Sequence, residues 1–447
     1  MEQTLLELLK KYLEYGEHTV FYEYLEDSSP VDIGAELEDF EDDELDLFCK
    51  NIEIETLAEI INESYAELQL RLLKTLDNGE VLKVFKLLPK DEIVDILGFL
   101  PSGQKKTLLN MMQHHESEVL EKLLNYAEDT AGGIMTTEYI ALRSTITVSN
   151  ALIKIKQIAP KTEVIETLFV INNSREFVGT VDLRDILVAD DNVLLEDIMD
   201  THILSVYPDD DQEQVSLLAT KYSLTVIPVV NRRQALLGII TIDDILDVIQ
   251  EEYTEDILKM AGVDKDETIG NSLVDSVKKR LPWLCVNFFT ALLASSIVGL
   301  FDETIDQVVA LAVAMPIIAG MGGNAGSQTL SIVIRNIALG EIEPDEYGEI
   351  LKKEISLGLL HGISIGILTA IVMYIVYHNI YFSLISLLAM IFNMTQACIL
   401  GFLVPTTLKK LKIDPALCSG IFLTTATDTL GFFVFLGIAS VFIEKLV

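Results

Sequence analysis

Through the first part of the chain apolar residues recur every three or four positions, with leucines spaced this way from Leu57 to Leu76 and again from Val81 to Leu88. That is the period of helices with one buried face. Leu88-Pro89 and Leu100-Pro101 recur twelve residues apart. Each proline suits the first turn of a new helix, where its missing N–H costs nothing, and the acidic pair Asp91 and Glu92 after one of them favours the positive end of the helix dipole. The pattern predicts an all-α superhelix of short helices over residues 1–130. From about residue 131 the period changes to short apolar runs that occur twice. LFVIN at Leu168 to Asn172 matches IPVVN at Ile227 to Asn231, and the nine residues from Gly179 match those from Gly238, both at an offset of 59. Ile134-Met135 pairs with Ile198-Met199 at an offset of 64. Each unit reads strand, turn, glycine, strand and then a helix starting near an Asp, which predicts an α+β module used twice over residues 131–253.

A charged segment at 254–281, helical at both ends, leads into apolar stretches long enough, at about 20 residues each, to cross a bilayer. The predicted spans are 282–300, 308–339, 355–377, 384–408 and 417–442, making 282–447 a five-helix transmembrane domain. Lys278, Lys279 and Arg280 precede the first span, Lys352 and Lys353 join the second to the third, and Lys409, Lys410 and Lys412 join the fourth to the fifth. The loop between the first two spans carries only acids, Asp302, Glu303 and Asp306. The positive-inside rule then places the N-terminus in the cytoplasm and the C-terminus outside. MEQTLLELLKKYLEYGEH at the start is amphipathic and acidic, unlike a signal peptide, and agrees with a cytoplasmic front half.

Composition sharpens this division. The 447 residues carry 69 acidic and 32 basic side chains, a formal charge of -37, yet mean hydropathy is +0.38. Of these, 57 acidic and 25 basic residues precede Pro282, so -32 of the -37 lies in front of the apolar third. Such a charge makes nucleic acid a poor partner, because phosphate binding depends on Lys and Arg, and makes cations the natural complement. Cys49, Cys285, Cys398 and Cys418 are far apart, with no CxxC spacing, so neither a disulfide framework nor a zinc site is indicated. The acidic run from Glu36 to Asp46 reads as a solvated face.

Asp428 is the one ionisable residue well inside a predicted span. A carboxylate there costs roughly 2.5 to 3.5 kcal/mol on the insertion scale, so it should face a cavity or a partner. Thr424, Thr425 and Gly431, at i-4, i-3 and i+3, share its helical face. A polar stripe of this kind suits a water-filled cation path, and a protonated Asp bonded to a neighbouring helix is the competing reading. The second span holds Pro316, glycines at 320, 322, 323 and 326, and the i,i+4 amides Asn324 and Gln328. Two readings fit this segment: close helix packing with interhelical hydrogen bonds, or a pore wall of carbonyls and amides around Pro316, Gly323, Asn324 and Gln328.

The repeat at 131–253 resembles a tandem pair of CBS domains, which generally dimerise and bind adenine nucleotides such as ATP. Arg184 and Asp185, beside a strand end, match such a nucleotide site; a surface ion pair with a helix cap is the alternative. RLPWL at Arg280 to Leu284, MPIIAGMGGNAGSQ at Met315 to Gln328, RNIALGE from Arg335, IDPAL from Ile413 and TDTLG from Thr427 are similar to the MgtE family of magnesium transporters and channels. The resemblance covers nearly the whole chain, with residues 254–281 as the connecting (plug) helix. It implies a multi-pass cell-membrane homodimer among lipid, with Mg2+ as both substrate and regulator. It also implies a selectivity site at Asp428, one from each subunit, helped by the Thr424 carbonyl. Regulatory Mg2+ ions would bridge Asp91 and Asp95 in the helical domain, Glu213, Asp244 and Asp247 in the second CBS domain, Glu252, Glu255 and Asp256 at the connecting helix, and Asp414 at the start of span five. One departure concerns Ser223, where the family can have an acid. The implied function is Mg2+ influx, shut off by cytosolic Mg2+, with no reaction catalysed. A membrane-anchored CBS sensor without flux is the alternative. An intramembrane enzyme is disfavoured because the chain lacks HExxH and its histidines His361 and His378 in the apolar third are isolated.

Overall fold

The computed structural model describes residues 4–15, 18–159, 162, 164–417 and 419–446, and the chain divides into two compact units, 1–249 and 250–447. Residues 1–3, 16 and 17 of the N-terminal pattern, and Cys418, lie outside the described residues. The first unit begins with short helices: α1 (Leu5–Tyr15), α2 (His18–Asp27), α3 (Pro30–Glu38), α4 (Asp42–Lys50), α5 (Ile54–Asn62), α6 (Ala66–Thr75), α7 (Asn78–Phe85), α8 (Lys90–Phe99), α9 (Ser102–Met111) and α10 (His114–Leu123). Local chemistry sets the breaks. Asp77 accepts the N–H groups of Gly79 and Glu80 at 2.7 and 2.9 Å while Glu80 reaches back to the Asp77 N–H at 3.0 Å, a capping box that starts α7. Pro89 and Pro101 stand at the N-caps of α8 and α9, with φ of -56° and -57°, one position before the expected first turn. The leucine period from Leu57 to Leu76 is not one helix. Tyr65 is extended and caps α6, and the Ser64 hydroxyl folds back to the Ile60 carbonyl at 2.5 Å, so the face continues across a break.

The repeat follows as β1 (Ala141–Arg143), α11 (Val148–Ile158), β2 (Thr167–Ile171), β3 (Phe177–Asp182), α12 (Leu183–Val188), α13 (Leu195–Ile198), α14 (Gln212–Tyr222), β4 (Val226–Val230), β5 (Leu236–Thr241) and α15 (Ile242–Met260). β1 pairs parallel to β2, β2 antiparallel to β3 and β4 antiparallel to β5. The two repeats are interleaved. Thr136 exchanges both backbone hydrogen bonds with Ile239 of the second, while Asp200 exchanges both with Thr180 of the first. A Cβ on Gly238 would meet Met135 Sδ at 2.8 Å, and one on Gly179 would meet Met199 Sδ at 2.9 Å. The paired Ile-Met motifs thus each cover the glycine of the other repeat. One apolar core runs from Leu5 and Phe48 through Leu97 to Met135, Ile227 and Ile240.

The second unit contains α16 (Leu273–Gly299), α17 (Asp302–Gln307), α18 (Ala310–Ala338), α19 (Tyr347–Tyr377), α20 (Ile380–Lys410), α21 (Ser419–Val441) and α22 (Ile443–Leu446). Among the described residues five helices, α16, α18, α19, α20 and α21, are long and apolar enough to cross a membrane. Their cover is unequal: half of the apolar window of α20 is buried but only 6% of that of α16, so α20 is the hub and α16 lies at the margin. The first span begins earlier than its apolar composition indicates, since Pro282 lies inside α16 and the cationic Lys278 to Arg280 belong to the same helix.

Candidate functional site

α18 and α21 pack together and each exposes polar groups in an otherwise apolar bundle. On α18, Asn324, Ser327, Gln328 and Ser331 are exposed and line an open groove of about 610 Å³ with Met321 and Ile332. Asn324 and Gln328 form no interhelical hydrogen bond among the described residues, whereas the other face of the same segment packs closely and its Ile318 carbonyl accepts the Asn393 amide of α20 at 2.7 Å, so both readings of the segment find support on different faces. The glycines of the segment divide by face. Gly322 and Gly326 press against Asn393 and Leu423, whereas a Cβ at Gly320 or Gly323 would meet nothing. Pro316 lies inside α18 and is exposed.

On α21, Asp428 is half-buried and Thr424 is exposed. The Asp428 carboxylate has no hydrogen bond or ion pair among the described residues. Thr424 and Thr425 donate their hydroxyls to the carbonyls of Gly420 (2.9 Å) and Ile421 (2.7 Å), leaving oxygen lone pairs outward. The Thr424 carbonyl accepts the Thr427 hydroxyl at 3.0 Å. Gly431 does not line the groove: it is buried against Asn393, whose Oδ1 would lie 2.7 Å from an added Cβ. Three residues turn the helix about 60° away from Asp428, enough to face α20 instead.

Three buried polar residues near this region, Glu354, Asn393 and Gln396, have little sequence signal. Glu354, 8% exposed, accepts the Thr329 hydroxyl at 2.8 Å between α19 and α18. It stands one residue before the expected third span, and α19 in fact starts two turns earlier. Asn393 and Gln396 sit in the buried face of α20, and an amide in an apolar run was the available cue.

In the first unit, the start of α8 and the start of α15 bring Asp91, Asp95 and Asp244 together with Glu92, which the sequence reading used only as a helix-start residue. Burial, and then the charges of Asp91 and Asp95, push Glu92 up to about 8. Burial and then Asp91 push Asp244 to about 7, while burial takes Asp91 to about 6 against two backbone N–H bonds. Asp91 Oδ1 is buried without a hydrogen-bond partner. Asp244 accepts the Thr241 hydroxyl at 2.6 Å. A cation-binding group fits here: an orphaned carboxylate oxygen among mutually repelling acids is what a divalent ion would satisfy. Asp247 instead neighbours Asp243 and Glu63, and burial again raises it. Glu213 opens α14, its N–H capped by Asp211 at 2.9 Å. Ser223 is the left-handed C-cap of the same helix, φ 53°.

In the second unit, Glu252 and Asp414 both face Asp256, which burial and then these two charges raise to about 6. Sequence reading missed the cation between Glu255 and Asp414: Lys259 binds Glu255 and, at 2.5 Å, Asp414. Lys265 lies 3.4 Å from Glu255. Among the described residues no three His, Cys, Asp or Glu side chains close to ligation distance. Mg2+ keeps several waters and takes one or two carboxylates, so paired acids with water between them suit it better than a closed cage. Arg184 and Asp185 are exposed on α12 and form no ion pair among the described residues, and the N-cap of α12 is Asp182.

Comparison with known proteins agrees with this architecture. Residues 315–438 match the MgtE family model, a divalent cation transporter, residues 28–129 the MgtE intracellular N domain, and 131–192 and 195–251 the CBS domain. The magnesium transporter MgtE of Bacillus subtilis is 32% identical over 97% of this chain and 96% of its own, and that of Enterococcus faecalis 35% over 74% and 73%. Among solved structures, the cytosolic domain of the Mg2+ channel MgtE in complex with ATP is similar at a TM-score of 0.51 and 31% identity, covering 54% of this chain and 99% of that one. With order, spacing and full-length similarity in agreement, the chain belongs to the MgtE family of magnesium transporters.

Proposed function

We propose that this multi-pass membrane protein is a Mg2+-selective channel or transporter that admits Mg2+ to the cytoplasm and closes when cytosolic Mg2+ binds its acidic domains. The observation that carries the reading is Asp428, a half-buried carboxylate on α21 without a protein partner among the described residues, together with the exposed polar stripe of α18, the helix that packs against α21. Polar groups turned outward from an apolar bundle are costly against lipid. A second copy facing the first across this surface turns the stripe into the wall of an aqueous path, with one Asp428 from each subunit. Mg2+ is held through its own waters by the two carboxylates, with help from Thr424 and from α18 carbonyls near Pro316 and Gly323.

Closure follows from the acidic pairs. Asp91, Asp95, Glu92 and Asp244, then Asp247 and Glu213, and at the junction Glu252, Glu255, Asp256 and Asp414, repel when unneutralised. A divalent ion converts repulsion into a bridge and shifts the population to the compact state. The N-terminal side is cytoplasmic and the C-terminus external, from the Lys and Arg distribution. ATP at the CBS pair, near Arg184 and Asp185, is supported by the ATP-bound relative. Its work is transport rather than catalysis.

Flux through the reconstituted full chain, wild type beside Asp428→Ala, tests this at low and high Mg2+ on the cytoplasmic face. Loss of Mg2+ flux in the variant is expected. Undiminished selective flux would exclude the pathway, and absence of flux in wild type would favour a CBS sensor that only dimerises.

A further inference from the structure

The polar pair on α20 joins the two helices that carry the proposed pathway. Asn393, fully buried, donates its amide N–H to the Ile318 carbonyl of α18 at 2.7 Å. Its Oδ1 accepts Gln396 Nε2 at 2.7 Å, and the same Nε2 approaches the Thr427 carbonyl of α21 at 3.4 Å. A continuous chain of amides therefore runs from α18 through α20 to the residue preceding Asp428. Packing reinforces it from both sides. A Cβ on Gly322 would lie 2.2 Å from Asn393 Nδ2, and one on Gly431 2.7 Å from Asn393 Oδ1, so each pathway helix lies directly on this one side chain. Turning the Gln396 amide over would set its oxygen against Asn393 Oδ1, so the bonding direction is fixed even though Gln396 Oε1 is left buried without a partner. In hydrocarbon an amide has no water to fall back on, which makes the arrangement a defined spacer instead of an adaptable contact.

We infer that Asn393 and Gln396 are positioning residues that set the separation of α18 and α21, hold Asp428 at its depth, and thereby tune ion selectivity. The inference rests on the pathway reading above. A hydrated divalent ion held by two carboxylates is sensitive to their spacing, whereas a monovalent ion that sheds water easily tolerates a wider opening.

The test is the permeability ratio of Mg2+ over Na+, from reversal potentials of the full chain in liposomes, alongside Mg2+ uptake. Asn393→Leu and Gln396→Leu are expected to assemble and conduct but to lose about tenfold in this ratio. The double variant should be no worse than Asn393→Leu, since both bonds belong to one chain. Gly322→Ala, which removes no hydrogen bond but displaces Asn393, should reproduce the loss. An unchanged ratio in both leucine variants overturns the inference. If Asn393→Leu does not assemble, Gln396→Met, which breaks the link to α21 and leaves Asn393 in place, decides in the same way. Asp428→Ala separates the two claims: selective flux persisting there overturns the pathway reading, while its loss with an unchanged ratio in Gln396→Met overturns only the positioning role of Asn393 and Gln396.

Discussion

Lys259 and Asp414, 155 positions apart in the chain, are joined by a 2.5 Å salt bridge, and the same ammonium also binds Glu255. A side-chain cation thus occupies a junction where the acids Glu252, Glu255, Asp256 and Asp414 converge. A tethered charge competes with a diffusible one for the same oxygens, so on the proposed closure by Mg2+ at these acids Lys259 is expected to set how much Mg2+ is needed.

Replacing Lys259 by Met keeps much of its apolar stem and deletes the charge. The cytosolic Mg2+ concentration at half-closure should fall by about two- to fivefold, a size reduced by the partial exposure of the pair. Single-channel open probability against cytoplasmic Mg2+ measures it. An increase in the required Mg2+ would show that Lys259 helps closure instead of competing with it.

The acids around Asp91 respond to pH in a fixed direction. Their folded values, about 6, 8 and 7 for Asp91, Glu92 and Asp244, lie above ordinary carboxylate values. Groups raised in this way favour the folded cluster when protonated, so its stability is full below about pH 4 and is lost as pH rises from there to about 8. Once corrected for the base-catalysed rise of intrinsic exchange, hydrogen exchange of α8 and the first turns of α15 in the full chain should therefore quicken with pH in chelator. Added Mg2+ should slow it most near pH 8, where the acids are charged and repel. Protection that grows with pH in chelator would contradict the assignment.

Interleaving of the two repeats depends on bare backbone at Gly238 and Gly179. Gly238→Ala places a methyl group 2.6 Å from the Thr136 carbonyl and 2.8 Å from Met135 Sδ. The expected cost is about 1–3 kcal/mol of overpacking. Thermal unfolding should show a lowered transition, whereas Gly299→Ala, which meets nothing within 4 Å, serves as the unaffected control.

The hydroxyl of Thr329 is a hydrogen-bond donor to the buried carboxylate of Glu354. Thr329→Val keeps the shape and leaves Glu354 without this donor, which should cost about 1–3 kcal/mol. Adding Glu354→Leu, which removes the other partner, should recover part of the loss in a thermal-shift assay of the full chain. If the double variant is as destabilised as the sum of the singles, the pair is not coupled.

Much of the architecture follows from patterns that act over a few residues. Period 3.6 marks the short helices, the 59-residue repeat marks the α+β pair, and five apolar stretches mark the spans. Asp428 stands out for the same reason, since a charge inside an apolar run is costly wherever the run folds. Gly431 shows the limit of helical spacing: sharing a broad face with Asp428 did not decide whether it meets the groove or α20. Glu92 looked like a favourable helix start, and only the arrival of α15, with Asp244, turned it into a crowded acid.

Side-chain identity and local period determined the element types, the order of domains, the apolar third and the acids able to meet a cation. Tertiary contact decided which acids converge, that Lys259 already holds Asp414, that the Ile-Met motifs cross between repeats, and that Asn393 stands between Gly322 and Gly431. The physical reason is range. Propensity and hydropathy are read residue by residue, whereas repulsion, ion pairing and close backbone approach depend on distances between segments far apart in the chain, which exist once the helices have packed.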